Sequence, residues 1–410
     1  MNLLLCIYMF TCTWTSFFAF GYFSIPNFSV ISYLFFSIIN NKVKLEPKLI
    51  NSIFGAFIIC IFWYSLTSLF NQHEKSINFL FAYTFIPFLL CYLPFCIKLT
   101  EKQEKKLIRF FFNGLLFVAI YCMFEAFIRN VLGIVISDFL PFSKENLSGT
   151  WTSKLKDDLV FRSRGFATEP IICGLSMSFG VAFVFTRLEK LFSLGFSDNK
   201  REIKLSFLYL VVFSISLFLT GSTAALVALI FFLFLKFSTI LFELLGSIRF
   251  MKIKKSSISR TFIILMPIIS ILIFTLFFST YTNFIEKSIT KLSLSNSRSV
   301  LARTEQIEYY FSNFVESPLG LKGSLGNLSK DGSAFNWYIT LLGDIGLIGT
   351  ILTLIPMGIT IYNAFIFKTN NLISKSNKLL LFVIPLIGLF FHGTFYASIF
   401  WQAAIFIKYL

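Results

Sequence analysis

The chain has 410 residues, 56% hydrophobic and 14% charged, with 57 phenylalanines and a formal charge of +16. Soluble domains spend about a quarter of their residues on charge, so this composition excludes an ordinary soluble domain and describes an integral membrane protein. Strict apolar and polar alternation over roughly ten-residue strands is missing, which argues against a membrane barrel; the basic residues sit in short connections between apolar runs, which argues against nucleic acid as a partner.

A bilayer core takes about 20 apolar residues per helix. On that measure the sequence predicts an all-α, polytopic transmembrane bundle forming a single membrane domain over 1–410. Eleven spans are expected, near 3–20, 25–39, 50–70, 77–97, 107–128, 171–187, 205–220, 222–243, 261–280, 336–366 and 379–407. No Lys or Arg precedes the first run, which therefore lacks the basic flank of a cleavable signal peptide and is expected to stay. Breaks fall at Pro26, at Glu46-Pro47 and at Thr220-Gly221-Ser222-Thr223, where turn formers separate apolar runs.

The connections after spans 2, 4, 6, 8 and 10 hold most of the 36 lysines and arginines, and those after spans 1, 3 and 7 almost none. Basic short loops stay cytoplasmic, while long loops translocate largely regardless of charge. Two long water-facing segments, 129–170 and 281–335, are thereby expected to face outward. The cysteines, Cys6, Cys12, Cys60, Cys91, Cys96, Cys122 and Cys173, lie within or beside apolar stretches and read as core packing.

In the first long segment, Val131 to Phe142 is apolar enough for a short interfacial helix. It is followed by R-S-R-G-F-A-T-E-P, Arg162 to Pro170. In extended chain Arg162 and Arg164 point the same way, and Gly165 allows close backbone approach. Two guanidinium forks so placed match one pyrophosphate; pairing with Asp157 and Asp158 is the alternative. Glu169, just before Pro170 at the start of a span, is a candidate general base or a plain helix N-terminal charge.

In the second long segment, Ser299 to Val315 reads as an amphipathic helix with Ile307, Tyr310, Phe311 and Phe314 on one face. Arg303 lies one turn before Ile307, and Arg298 in the polar run before the helix. Such a helix on the membrane surface aims Arg303 inward, unless Arg303 pairs with Glu305 or Glu308. Within the spans, Glu125 and His392 are secondary candidates as intramembrane ionisable groups. No nucleotide loop, zinc-spaced set or acidic metal motif occurs, so no metal or cofactor is expected and energy comes from an activated substrate or a gradient.

These elements, in their order, resemble one family. The R-x-G-x-x-x-E-P element, the L-T-G-S-T-A-A-L run of Leu219 to Leu226, Arg303 upstream of S-P-L-G, and F-N-W-Y-I-T-L-L-G-D-I-G-L-I-G, Phe335 to Gly349, look like the O-antigen polymerase and O-antigen ligase superfamily. The resemblance covers Arg162 to Gly349. Where the ligase branch has His before Asn336 this chain has Phe335, which favours the polymerase branch; where many members carry Arg after the Ser of L-T-x-S, Thr223 stands.

The resemblance implies inverting glycosyl transfer without metal or nucleotide, from a glycan on undecaprenyl pyrophosphate to a lipid-linked repeat unit, at the periplasmic face of the bacterial inner membrane. On that footing Glu169, Arg164 and Arg303 are the catalytic residues, and Arg162, Arg298, Gly165 and Asn336 bind substrate. Membrane lipid and a chain-length regulator are the implied further partners. A repeat-unit flippase and the ligase are the competing readings; a flippase is expected to show internal repeats and central cavity charge, and neither is seen.

Overall fold

The computed structural model describes residues 2–15, 24–40, 44–71, 87–134, 152–155, 158–167, 169–194, 199–249, 298–320, 336–367, 372–391 and 400–410. Among the described residues six helices are long and apolar enough to cross a membrane: Pro47–Thr67, Glu101–Arg129, Pro170–Leu194, Lys200–Thr220, Thr223–Ile240 and Trp337–Ile366. The molecule is a helical membrane protein. In chain order the helices are α1 (Asn2–Phe10), α2 (Ile25–Ile39), α3 (Pro47–Asn71), α4 (Glu101–Leu132), α5 (Pro170–Leu194), α6 (Lys200–Thr220) and α7 (Thr223–Arg249). After them come α8 (Arg298–Glu316), α9 (Trp337–Ile366), α10 (Lys375–Leu381), α11 (Val383–Gly388) and α12 (Phe400–Tyr409). A π-helical turn, Phe88–Tyr92, precedes α4 and runs into Leu93–Phe95.

Two expectations are corrected. The first span does not run unbroken to residue 20, because α1 ends at Phe10, where the Thr11 hydroxyl donates to the Ile7 carbonyl at 2.7 Å and the chain turns. The last span is divided at Phe382 and again after Gly388. Between α4 and α5 the described chain holds an antiparallel pair, β1 (Thr152–Leu155) and β2 (Asp158–Phe161). Of the interfacial helix expected over Val131 to Phe142, Val131 and Leu132 are the end of α4, which Gly133 closes at φ 69°, and 135–142 lies outside the described residues. The span expected at 261–280 also lies outside them.

Local chemistry fixes the boundaries that matter for the site. At the start of α4 the Thr100 amide donates to Gln103 Oε1 at 2.9 Å, and Glu101 and Glu104 occupy the first turn, where the helix dipole favours acid. α6 ends on Gly221 at φ 57°, and α7 begins after Ser222, whose Oγ accepts the Ala225 amide at 3.3 Å.

Two helices are enclosed by protein. In α5 every residue from Ile172 to Thr186 is buried, and all ten residues of α12 are. Phe406 of α12 meets Phe111 of α4 at 4.5 Å and Phe183 of α5 at 4.9 Å between ring centroids. The other long helices keep apolar side chains on the outside, such as Phe62 and Leu69 of α3 and Ile230 and Phe234 of α7, as lipid requires.

Polar contacts tie several of the described connections and helix ends to one another. Residues 44–46 pair with 96–98: Glu46 N–H donates to Cys96 O at 2.9 Å and Lys98 N–H to Lys44 O at 2.7 Å. The fully buried Lys408 ammonium donates to Glu46 Oε1 at 2.7 Å and to Phe95 O at 2.8 Å. Lys236 of α7 meets Glu189 of α5 at 2.7 Å and Asn377 of α10 at 2.6 Å, and Asn377 donates to Glu189 at 3.0 Å. A buried ion pair is a poor source of stability but a strict condition on geometry, since removing one partner strands a charge at about 3–5 kcal/mol.

Candidate functional site: the arginine turn between α4, α5 and α6

The chain leaving β2 plunges into the crevice between α4 and the α6–α7 turn. Ser163 N–H donates to Leu219 O at 2.9 Å and its hydroxyl to Cys122 O at 3.0 Å. Arg162 Nε donates to Thr220 O at 3.1 Å, so a cation sits on the carbonyl end of α6, where the helix dipole is negative. The amides of Arg164 and Gly165 both donate to Glu125 Oε2, at 3.2 and 3.1 Å. Phe166 then stacks on Tyr121 at 4.2 Å and 26°, with Trp14 at 4.6 Å.

Gly165 is required here for two reasons. Its φ is +59°, and a Cβ would lie 3.0 Å from Val118 Cγ1, 3.2 Å from Cys122 Sγ and 3.3 Å from Cys173 Sγ. The two cysteines form the floor of the turn, their sulfurs 3.3 Å apart and both buried.

The two arginines engage different neighbours: Arg162 is partly exposed on the end of α6, and Arg164 is 4% exposed beside Glu125, with the left-handed turn at Gly165 following them. Burial pulls the Arg164 guanidinium below its usual range, and Glu125 opposes that pull. The alternative partner Asp157 and the Asp158 side chain lie outside the described residues. Glu169 is partly exposed immediately before α5, its carbonyl accepting from Ile172 N–H at 3.2 Å; its carboxylate meets no hydrogen-bond partner among the described residues.

The second long segment builds a different joint. Helix α8 packs on α9 through Tyr310, 1% exposed, against Gly343. Burial beside Asp344 raises the Tyr310 phenol, which stays protonated. The S-P-L-G loop then inserts at a break in α9: Gly320 has φ +75°, Gly346 has φ +69° and ψ −175°, and a Cβ on either would lie 2.3 Å from backbone of the other strand of the joint. Leu347 N–H donates to Pro318 O at 2.8 Å and Trp63 Nε1 to Ile345 O at 3.2 Å.

The expected face of α8 is corrected as well. Ile307 and Phe311 are 42% and 56% exposed, so the apolar stripe faces away from the protein and Tyr310 alone of that set is buried. Arg298 and Arg303 lie on α8, with Arg303 two turns before Tyr310, and their side chains lie outside the described residues. Asn336 is the N-cap of α9, its side chain accepting the Ile339 amide at 3.2 Å. His392 lies outside the described residues.

Two motif pairs therefore close on each other: R-S-R-G on L-T-G-S, and S-P-L-G on G-D-I-G. Comparison with protein-family models, with curated proteins and with solved structures gave no match. The sequence marks Glu125 as a secondary candidate without connecting it to the arginine turn; the available signal is an acid one turn before the end of a span. Asp344 of the G-D-I-G motif is 3% exposed within α9, a burial that the motif alone does not report.

Proposed function

We propose that this protein polymerises lipid-linked oligosaccharide repeat units at the outer face of the bacterial inner membrane. The observation that carries the proposal is the docking of R-S-R-G onto L-T-G-S. Two motifs more than fifty residues apart form one cationic turn at the end of three helices, through Arg162 to Thr220 and Ser163 to Leu219. Several of the basic connections are tied to one another, and the arginine turn joins other connections. That is the arrangement a positive-inside topology with an outward site requires.

In the proposed reaction an acceptor sugar hydroxyl attacks the anomeric carbon of the donor. The bond between that carbon and the pyrophosphate oxygen breaks, and undecaprenyl pyrophosphate leaves with the electron pair. Glu169, at the wet edge of the turn, takes the hydroxyl proton. Arg164 and Arg303 meet the charge growing on the leaving group, and Arg162 and Arg298 hold the diphosphate. Gly165 keeps the turn close to it. Asn336 contributes by starting α9 beside the second joint.

Arg303 tests the reading. As a bidentate fork it tolerates neither Ala nor Lys, because Lys keeps charge and loses paired geometry. Arg303→Ala and Arg303→Lys should each cost about 1.5–3 kcal/mol, roughly ten- to a hundredfold in polymer formed, at normal membrane abundance. A surface partner of Glu305 or Glu308 would cost less than about 1 kcal/mol, and chain lengths like wild type in the Ala variant would remove Arg303 from the site.

A further inference from the structure

We propose that Glu125 is a positioning residue for the diphosphate-binding turn, holding Arg164 in place through that residue's own backbone. The inference rests on the proposed function for the identity of the ligand, and on geometry for the rest. One oxygen, Oε2, accepts both the Arg164 and Gly165 amides, at 3.2 and 3.1 Å. Two successive N–H groups converge on one acceptor, and Gly165, which carries the second of them, is left-handed at φ +59°. Glu125 is itself 5% exposed and lies one turn before Arg129, and both Arg164 and Arg129 place positive charge on its carboxylate.

An intramembrane carboxylate is costly to keep unless it is satisfied. Here it is satisfied by a segment outside the spans, so the acid and the turn hold each other. Ser163, bonded to Leu219 and to Cys122, supports the turn before Arg164 in the chain, and the Ala167 N–H donates to the Arg164 carbonyl at 3.1 Å. Phe166 on Tyr121 and Trp14 acts after it. At Arg164 and Gly165 the Glu125 carboxylate holds both backbone amides. A ligand on the Arg164 guanidinium then meets a side chain whose origin cannot drift, which is the preorganisation an anion clamp needs.

Two substitutions separate the roles. Glu125→Gln keeps a carbonyl oxygen that accepts both amides, and Glu125→Ala removes the acceptor. With purified protein in detergent, trypsin cleavage after Arg164, followed by peptide mass spectrometry, should be slow in wild type and Glu125→Gln. It should be at least about tenfold faster in Glu125→Ala. Cleavage after the exposed Arg201 should be unchanged, which a general loss of stability would not allow.

Titration with undecaprenyl pyrophosphate in the same micelles should give Glu125→Gln within about threefold of wild type and Glu125→Ala at least about tenfold weaker. Should Glu125→Ala not accumulate, Glu125→Asp carries the same comparison, since the shorter side chain withdraws the oxygen from amides already more than 3 Å away. Equal protection of Arg164 in wild type and Glu125→Ala, or Glu125→Gln behaving as Glu125→Ala, overturns the inference. A wild-type protein that binds no undecaprenyl pyrophosphate overturns the proposed function instead, and the trypsin comparison still decides whether Glu125 positions the turn.

Discussion

Replacing Gly320 by alanine should open the joint between the S-P-L-G loop and α9. The new Cβ would lie 2.3 Å from Ile345 C, 2.5 Å from its O and 2.7 Å from Gly346 N, all backbone atoms that no rotamer change can move aside. The residue also sits at φ +75°, which costs a non-glycine about 1–2 kcal/mol. Overpacking against a rigid neighbour adds about 1–3 kcal/mol. The expected loss is about 2–5 kcal/mol, concentrated where Leu347 N–H meets Pro318 O at 2.8 Å.

Two other glycines separate the contributions. Gly133 is also left-handed, at φ +69°, with nothing within 4 Å of a Cβ, so Gly133→Ala should cost only the backbone share, about 1–2 kcal/mol. Gly358 lies inside α9 with open space around it, so Gly358→Ala should be neutral or stabilising by up to about 1 kcal/mol. Thermal unfolding in one detergent ranks the three, and amide hydrogen exchange over 317–320 and 345–349 locates the damage. If Gly320→Ala melts with wild type and keeps its exchange protection there, the interlocked joint is wrong.

The outward placement of both long segments predicts that reporter fusions at Gly149 and Lys322 are active as periplasmic reporters; a cytoplasmic signal at either contradicts the topology. The 3.3 Å approach of Cys122 and Cys173 predicts that an apolar oxidant such as iodine links them in membranes, seen as a cross-linked peptide pair by mass spectrometry. A pair that remains as free thiols under oxidation that links exposed control cysteines would mean that α4 and α5 do not meet there.

What the sequence discloses depends on whether a signal is carried by residue type or by backbone. The long apolar runs of α4, α5, α6, α7 and α9 are legible because a bilayer demands length and hydropathy together. Hydropathy does not distinguish lipid from protein as the apolar neighbour, so nothing in the runs sets the enclosed α12 apart from the lipid-facing α3. The same ambiguity misplaces α8: periodicity finds the stripe of Ile307 and Phe311, but in a membrane that stripe turns outward while Tyr310, with its hydroxyl, turns in.

At the site, the arginines and Glu125 are visible as charged residues beside spans, and their relation is not. Glu125 is answered by two backbone amides, which no residue identity reports. Gly320 and Gly346 likewise meet through backbone alone. Each is an unremarkable glycine until the other is placed against it.

The most direct test of the central claim is to delete the gene and examine the surface glycan. A polymerase predicts acceptors capped by single repeat units, because export and attachment continue while elongation stops. Loss of all repeat units from the surface, or full-length polymer stranded on its carrier lipid, would contradict it.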